Sequence, residues 1–193
     1  MTDTWYTEVE ASEKLTQGNI IEKCPLIAWK AEPVRLEGST EAEILRGMVN
    51  AVQQDVIVMT QACDLEQEKV SNVVLCPAYS LSVFRQDWED DYKRPGKNPR
   101  PSEFISYCKR IANGFIWNLA ILNEGADTSL TTEHRIIDFH EVFTVPRAFL
   151  ESLLVRRQRP RLRLLSPYRE HLSQAFARYF MRVGLPTGIN TIQ

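Results

Sequence analysis

The strongest pattern in the chain is a run of apolar residues without polar alternation. Val56 to Met59 are all apolar, at the centre of a strand predicted over Val56 to Gln61. A continuous apolar run of this length indicates a strand that is buried on both faces. Val73 to Cys76 is a second such run, and it ends at Pro77. The polar segment between the two runs predicts that they pair as antiparallel neighbours.

The clearest helix pattern lies near the C-terminus. Ser166 is a favourable N-cap residue, Pro167 suits the first helical position, and Gly184 with Pro186 marks the end. Apolar residues recur at helical spacing in between, which predicts a C-terminal helix over residues 166–184 with one face in the core. The apolar stripe consists of Leu172, Phe176, Tyr179, Phe180 and Val183.

The remaining segments predict an α+β fold with a mostly antiparallel sheet. Ile44 to Val52 fits either a short helix or a strand, and we favour a strand that forms a hairpin with the central run. Residues 81–125 form an insertion, in which Leu81 to Pro101 is loop-like and Glu103 to Ala112 is a helix. Further strands are predicted over 115–122, 135–145 and 161–164, and a short helix over 147–154. We expect residues 1–193 to form a single domain.

Composition agrees with a globular domain, at 44% apolar and 25% charged residues. No apolar run approaches the length of a membrane span, and the acidic N-terminus lacks the features of a signal peptide, so we expect a cytoplasmic protein. The four cysteines contain no C-x-x-C pair, which favours reduced thiols over a disulfide or zinc framework. We therefore expect no metal site, and no motif calls for a cofactor.

The net charge of −2 hides an uneven distribution. Residues 147–182 contain nine arginines, no lysine and two acidic residues. One interpretation is that this basic region packs against the acidic remainder of the chain, so that their charges compensate across one surface. The other is that the arginines contact a phosphate backbone or an acidic partner. The predicted RNA- or partner-binding residues are Arg156, Arg157, Arg159, Arg161, Arg163, Arg178 and Arg182.

The central strand ends in Gln61-Ala62-Cys63-Asp64, which supplies the weak catalytic candidates Gln61, Cys63 and Asp64. A cysteine nucleophile needs a lowered pKa and a nearby base, for which the chain has three histidines. Alternatively, Asp64 accepts hydrogen bonds from loop amides and Gln61 ties down the strand end. We favour a fixed loop conformation over a reacting group.

Segments of the chain resemble, in order, the MazF/PemK-like toxins. Gln17-Gly18-Asn19-Ile20-Ile21 resembles their opening turn and strand, Val56 to Thr60 their central strand, and Val73 to Pro77 the strand that ends at proline. Pro167 to Val183 is similar to their closing helix. The resemblance implies a small SH3-like β-barrel, here with a helical insertion and a C-terminal helix. The Q-x-C-D-L segment and the C-terminal segment also resemble a group of bacterial proteins whose activity is not known.

The resemblance implies a bacterial stress-response or phage-defence protein that engages RNA. Such toxins form dimers and cleave RNA without a metal, using an arginine just before the central strand and a threonine after the later proline. Gln53 to Asp55 and Tyr79 or Ser80 occupy those positions here, so no catalytic residue is carried over. The alternative is a non-enzymatic adaptor or regulatory subunit, which a protein partner holds through the acidic N-terminal half or the 86–101 loop.

Overall fold

A computed structural model describes residues 4–30, 40–93, 96, 98–125 and 129–181 of the chain. The strands in these residues are β1 (Tyr6–Val9), β2 (Ile20–Trp29), β3 (Val49–Val58), β4 (Asn72–Ser80), β5 (Leu119–Leu122), β6 (Arg135–Asp138), β7 (Phe143–Pro146) and β8 (Arg161–Leu164). The helices are α1 (Glu41–Met48), α2 (Ala62–Glu66), α3 (Leu81–Lys93), α4 (Pro101–Ala112), α5 (Arg147–Arg157) and α6 (Tyr168–Phe180). The predicted α+β class is confirmed.

The strands form one curled antiparallel arrangement. The larger sheet has the order β2-β3-β4-β6-β5, and β7 pairs with the other half of β4. β1 and β8 pair separately, and a single bridge between Asn19 and Arg163 connects β8 to the start of β2. Within the described residues no ladder joins β1 to β5, so the sheet is not closed into a barrel. The predicted SH3-like barrel is therefore not confirmed.

The continuous apolar run of the central strand is explained by burial on both faces of β3. Val56 and Val58 belong to one core cluster, which includes residues of α5. Ile57 and Met59 belong to a second cluster, which includes residues of α6. Alternate residues of a strand point to opposite faces, so a strand covered on both sides has no position left for a polar residue. The predicted antiparallel pairing of this strand with β4 is confirmed.

The prediction of a strand over Ile44 to Val52 is wrong for its first half, where α1 lies. The helix begins with a capping box, in which the Thr40 hydroxyl accepts from the Glu43 amide and the Glu43 carboxylate accepts from the Thr40 amide. This T-x-x-E pattern is a helix-start signal that competes with the strand propensity of the residues after it. Only Val49 onward pairs as a strand, opposite Trp29.

The prediction of a loop over Leu81 to Pro101 is wrong where α3 lies. Leu81, Phe84 and Trp88 follow helical spacing, but the acidic residues on either side of Trp88 give the segment the composition of a loop. Their side chains contact the next helix, with the rings of Trp88 and Phe104 at 5.3 Å. That next helix, α4, was predicted and is confirmed.

Two further predictions need correction. The strand predicted over residues 135–145 is two strands, because the chain bends at the fully buried Phe139 and places β6 and β7 on different halves of β4. α6 confirms the C-terminal helix, but it begins at Tyr168, and Pro167 takes the N-cap position predicted for Ser166, without a side-chain hydrogen bond. Phe180 of the predicted core stripe is 57% exposed. Val183 and Gly184 lie outside the described residues. No helix among the described residues is both long and apolar enough to cross a bilayer.

Candidate functional site

The Gln61-Ala62-Cys63-Asp64 segment forms the first turn of α2. Cys63 is exposed, and its Sγ lies 3.9 Å from the Asp64 carboxylate. Among the described residues no histidine hydrogen-bonds to this thiol; the imidazoles of His134 and His140 contact Glu124 and Asn118 instead. Among the described residues, no imidazole is therefore in place to activate this thiol.

Other side chains fix the end of the central strand. The Thr60 hydroxyl accepts from the Val74 amide at 2.7 Å, and the buried Gln17 side chain donates to the Met59 carbonyl at 3.2 Å. Gln61 caps α2 without any side-chain hydrogen bond to the helix. The strand end is thus held in a fixed conformation, but by Thr60 and Gln17 and not by the predicted Gln61.

The structure distributes the predicted arginines over three surfaces. Arg161 is only 5% exposed and donates to the backbone carbonyls of Glu10, Glu13 and Lys14. Arg163 lies 3.6 Å from the Glu13 carboxylate, in a different depression of the surface. On α6, the guanidinium of Arg178 lies 5.0 Å from the centre of the Trp117 ring. Arg182 lies outside the described residues.

Arg157 and Arg159 lie on the same side as Arg161, where α5 leads into β8. Arg157 donates to the carbonyls of Glu22 and Lys23, both at 2.6 Å. The exposed Arg159 and the neighbouring Arg156 have no hydrogen-bond or ion-pair partner among the described residues. Only Arg159 of these two lines the surface depression that Arg157 faces.

A bulge in β2 lies under the Arg157 guanidinium. The pairing register of β2 with β3 shifts between Ile21 and Cys24, and Lys23 has a φ of +45°. Residues with a Cβ seldom adopt this left-handed conformation, which costs about 1 kcal/mol or more. The Asp55 carboxylate holds the bulge from the other side by accepting from the Lys23 amide at 2.8 Å. β-bulges commonly serve to change the direction in which a strand's side chain points, and this one is held in place from both sides.

A buried guanidinium, that of Arg135, connects the bulge to the sheet. Its Nη1 donates to the Asp55 carboxylate and to the Ala78 carbonyl, each at 2.9 Å. Its Nε donates to the Thr132 hydroxyl at 2.9 Å, and Nη2 lies 3.4 Å from the Glu22 carboxylate. The Arg135 side chain is 7% exposed, so Asp55 supplies the main compensation for a nearly buried charge. Sequence analysis missed this pair, since Asp55 and Arg135 are 80 positions apart.

Beside the bulge is a cleft with a volume of about 560 Å³. The β2 bulge forms one wall, and the turn from α5 into β8 forms the opposite wall. Four cationic residues and one carboxylate line it. The lining residues are Ile20, Ile21, Glu22, Lys23, Gln53, Leu130, Thr131, Leu154, Arg157, Arg159, Pro160, Arg161 and Leu162.

The positive charge of the cleft is largely uncompensated. Arg157 is held by backbone carbonyls, which carry no net charge, and the Lys23 ammonium has no partner among the described residues. Glu22 is the only carboxylate in the lining, and it lies beside Arg135. Burial lowers the pKa of Arg161, yet that guanidinium keeps its proton because its ordinary pKa is so high. The cleft therefore combines an aliphatic floor with a cationic rim, as expected of a site for an anionic ligand.

The reactive groups of the described residues do not meet in this cleft. Burial raises the pKa of the nearby Cys24 thiol to about 11, against the opposing charge of Arg157, so this thiol stays protonated at neutral pH. The described part of the chain contains no cluster of three or more His, Cys, Asp or Glu side chains arranged to hold a metal ion. Comparisons with protein-family models, with curated proteins and with solved structures found no match to this chain.

Proposed function

We propose that this chain binds single-stranded RNA in the cleft beside the β2 bulge, without cleaving it. The observation that carries the proposal is the cationic rim around an aliphatic floor, in a cleft of about 560 Å³. Lys23 and Arg159 are the primary phosphate contacts, because neither has a competing partner among the described residues. Phosphate contacts to Lys and Arg supply most of the affinity in sequence-independent binding.

Single strands suit this cleft better than duplexes do. A base can enter a concave aliphatic site only when it is unstacked, and guanidinium planes such as that of Arg157 offer a stacking surface. The cleft has no aromatic lining residue, so base stacking contributes less here than in aromatic-lined RNA sites. The choice of RNA over DNA rests on the resemblance to MazF/PemK-like toxins, of which this chain would be a divergent small-barrel relative with an opened sheet.

Binding without turnover is supported by the surroundings of Arg135, whose guanidinium lies near the start of the central strand. Toxins of that type carry an arginine just before the strand, and here the guanidinium of Arg135 occupies this region by reaching Asp55. It is nearly buried and hydrogen-bonded to protein acceptors on several sides, so it cannot reorganise around a transition state. In this proposal Arg135 is a structural residue.

The test is fluorescence anisotropy with a labelled 12-nucleotide oligouridine, titrated with the purified chain at several salt concentrations. We expect affinity to fall with salt, and Lys23→Ala and Arg159→Ala each to weaken binding about fivefold, or ~1 kcal/mol. Each substitution also flattens the slope of log affinity against log salt by about 0.7.

Arg156→Ala is the matched control, because it removes the same charge from an exposed neighbouring position outside the cleft. Equal effects of Arg156→Ala and Arg159→Ala would show that the cleft is not the site. Binding that does not depend on salt would exclude the phosphate contacts, and shortened RNA after incubation would contradict binding without turnover.

A further inference from the structure

The second feature that points to a ligand is the free edge of β5. Among the described residues this strand pairs on one side only, with β6. The Asn118 carbonyl accepts from the Phe139 amide at 2.8 Å, which fixes the alternation of the ladder. Ala120 and Leu122 therefore direct their backbone groups towards β6, while Leu119 and Ile121 direct theirs away from the sheet.

Ile121 leaves a backbone donor and acceptor available at this edge. The outward amide of Leu119 is already used, since it donates to the Ile116 carbonyl. Neither the N–H nor the C=O of Ile121 has a hydrogen-bond partner outside the ladder among the described residues, and its side chain is only half-buried. An unpaired donor and acceptor on one edge residue are what an added strand requires.

A groove runs along the same edge. Its volume is about 330 Å³, and all of β5 lines it. The C-terminal turn of α4 borders it on one face of the sheet through Ile111, and α6 borders it on the other face through Leu172 and Ala175. The groove is therefore a slot between a strand edge and flanking helices, the arrangement in which proteins accept an extended peptide as an extra strand.

The charge of the groove selects among extended segments. Arg178 and His171 are in the lining, which contains no carboxylate among the described residues. The guanidinium of Arg178 lies 5.0 Å from the centre of the Trp117 ring. A bound strand would place alternate side chains against α6, which presents both apolar and cationic side chains, and the intervening side chains against the apolar Ile111 of α4. We therefore expect a mainly apolar segment with an acidic residue on its α6 side.

We propose that the β5 edge binds an extended, mainly apolar segment of a partner protein, with an acidic residue on the side of Arg178, as an added antiparallel or parallel strand. About four residues suffice, since β5 is four residues long. This surface is separate from the RNA cleft, which shares no lining residue with it. The proposal therefore stands or falls independently of RNA binding.

The probe is a displayed library of random heptapeptides, selected on the full chain, followed by affinity measurements with the enriched peptide. We expect enrichment of mainly apolar peptides that carry an acidic residue at one fixed position. N-methylation of the peptide amides that face β5 should reduce affinity at least tenfold, and N-methylation of the intervening amides should leave it unchanged, because only alternate amides of a strand face its neighbour. This readout needs no change to the protein.

Two protein variants locate the site. Ile121→Pro removes the outward donor without touching the ladder to β6, and it should abolish measurable peptide binding, while Ile121→Val retains the donor and the affinity. Arg178→Ala should weaken the enriched peptide about fivefold, as the loss of one charge-assisted contact. Failure to enrich any peptide, equal sensitivity of both N-methylated series, or unchanged binding by a folded Ile121→Pro variant would each overturn the proposal.

Discussion

Replacing Asp55 by alanine should destabilise the protein far more than an ordinary surface substitution. The change leaves the Arg135 guanidinium, 7% exposed, with only the mostly exposed Glu22 as a carboxylate neighbour among the described residues. It also removes the acceptor of the Lys23 amide in the strained bulge. Removing one partner of a buried ion pair typically costs about 3–5 kcal/mol. Because the Asp55 side chain is 29% exposed, we expect the loss of unfolding free energy to lie at the lower end of this range, about 3 kcal/mol.

The assay is urea denaturation monitored by circular dichroism and by tryptophan fluorescence. With a slope of about 2 kcal/mol per molar urea, a loss of ~3 kcal/mol lowers the midpoint by about 1.5 M. Glu22→Ala is the matched control, because this carboxylate lies 3.4 Å from the same guanidinium but its side chain is 70% exposed. We expect it to cost less than about 1 kcal/mol.

A double substitution separates the ion pair from simple packing. Arg135→Met combined with Asp55→Ala removes both charges, and replacing a whole buried pair by apolar groups is often nearly neutral. The double variant should therefore recover much of the stability lost in Asp55→Ala. Either of two results would refute the role given to this pair. One is an equal loss of unfolding free energy in Asp55→Ala and Glu22→Ala. The other is a double variant whose loss equals the sum of the losses in Asp55→Ala and Arg135→Met.

Three further predictions follow from other parts of the fold. Gly125→Ala places a Cβ 2.6 Å from the Tyr6 ring and should lower the unfolding free energy, measured by thermal denaturation, by about 1–3 kcal/mol. At Gly47, in the exposed helix α1, a Cβ meets no atom, so Gly47→Ala should raise the unfolding free energy by about 0.5–1 kcal/mol. The pKa of Cys24 rises to about 11 in the folded chain, so the folded state keeps a proton that the unfolded chain loses above about pH 8.5. The unfolding free energy should fall as pH rises through this window, and Cys24→Ala should reduce the slope. Iodoacetamide at pH 7 should label the exposed Cys63 before the buried thiols, at the rate of an ordinary cysteine, and a hundredfold faster reaction would restore Cys63 as a nucleophile.

Elements with a single, uninterrupted signal were predictable from the sequence. The central strand follows from Val56 to Met59, and α6 follows from a Pro at its start and apolar residues at helical spacing. The errors arose where two signals overlap. In α1 the capping box of Thr40 starts a helix directly before the strand residues that begin at Val49, and in α3 the acidic residues around Trp88 give a helix the composition of a loop.

The candidate site was predictable only in part, because its geometry depends on long-range contacts. The strand predicted over 161–164 is confirmed as β8. The sequence could not show that the backbone carbonyls of residues 10, 13 and 14 enclose the guanidinium of Arg161. The Asp55–Arg135 pair leaves no periodic signal, since each residue merely flanks an apolar strand in a separate part of the chain.

The open sheet and the peptide groove have one physical origin. A closed barrel has no free edge, because its first and last strands pair with each other. Here the two ends of the curled sheet approach through side chains instead: the Tyr6 hydroxyl of β1 donates to the Asn123 carbonyl, and Glu8 accepts from Ser129. These contacts bring β1 beside the loop after β5, while the outward edge of β5 has no paired strand among the described residues. A peptide that adds to that edge would pair with the outward amide and carbonyl of Ile121, so peptide binding should protect the Ile121 amide from hydrogen exchange. Unchanged exchange of that amide in the complex would contradict this view of the fold.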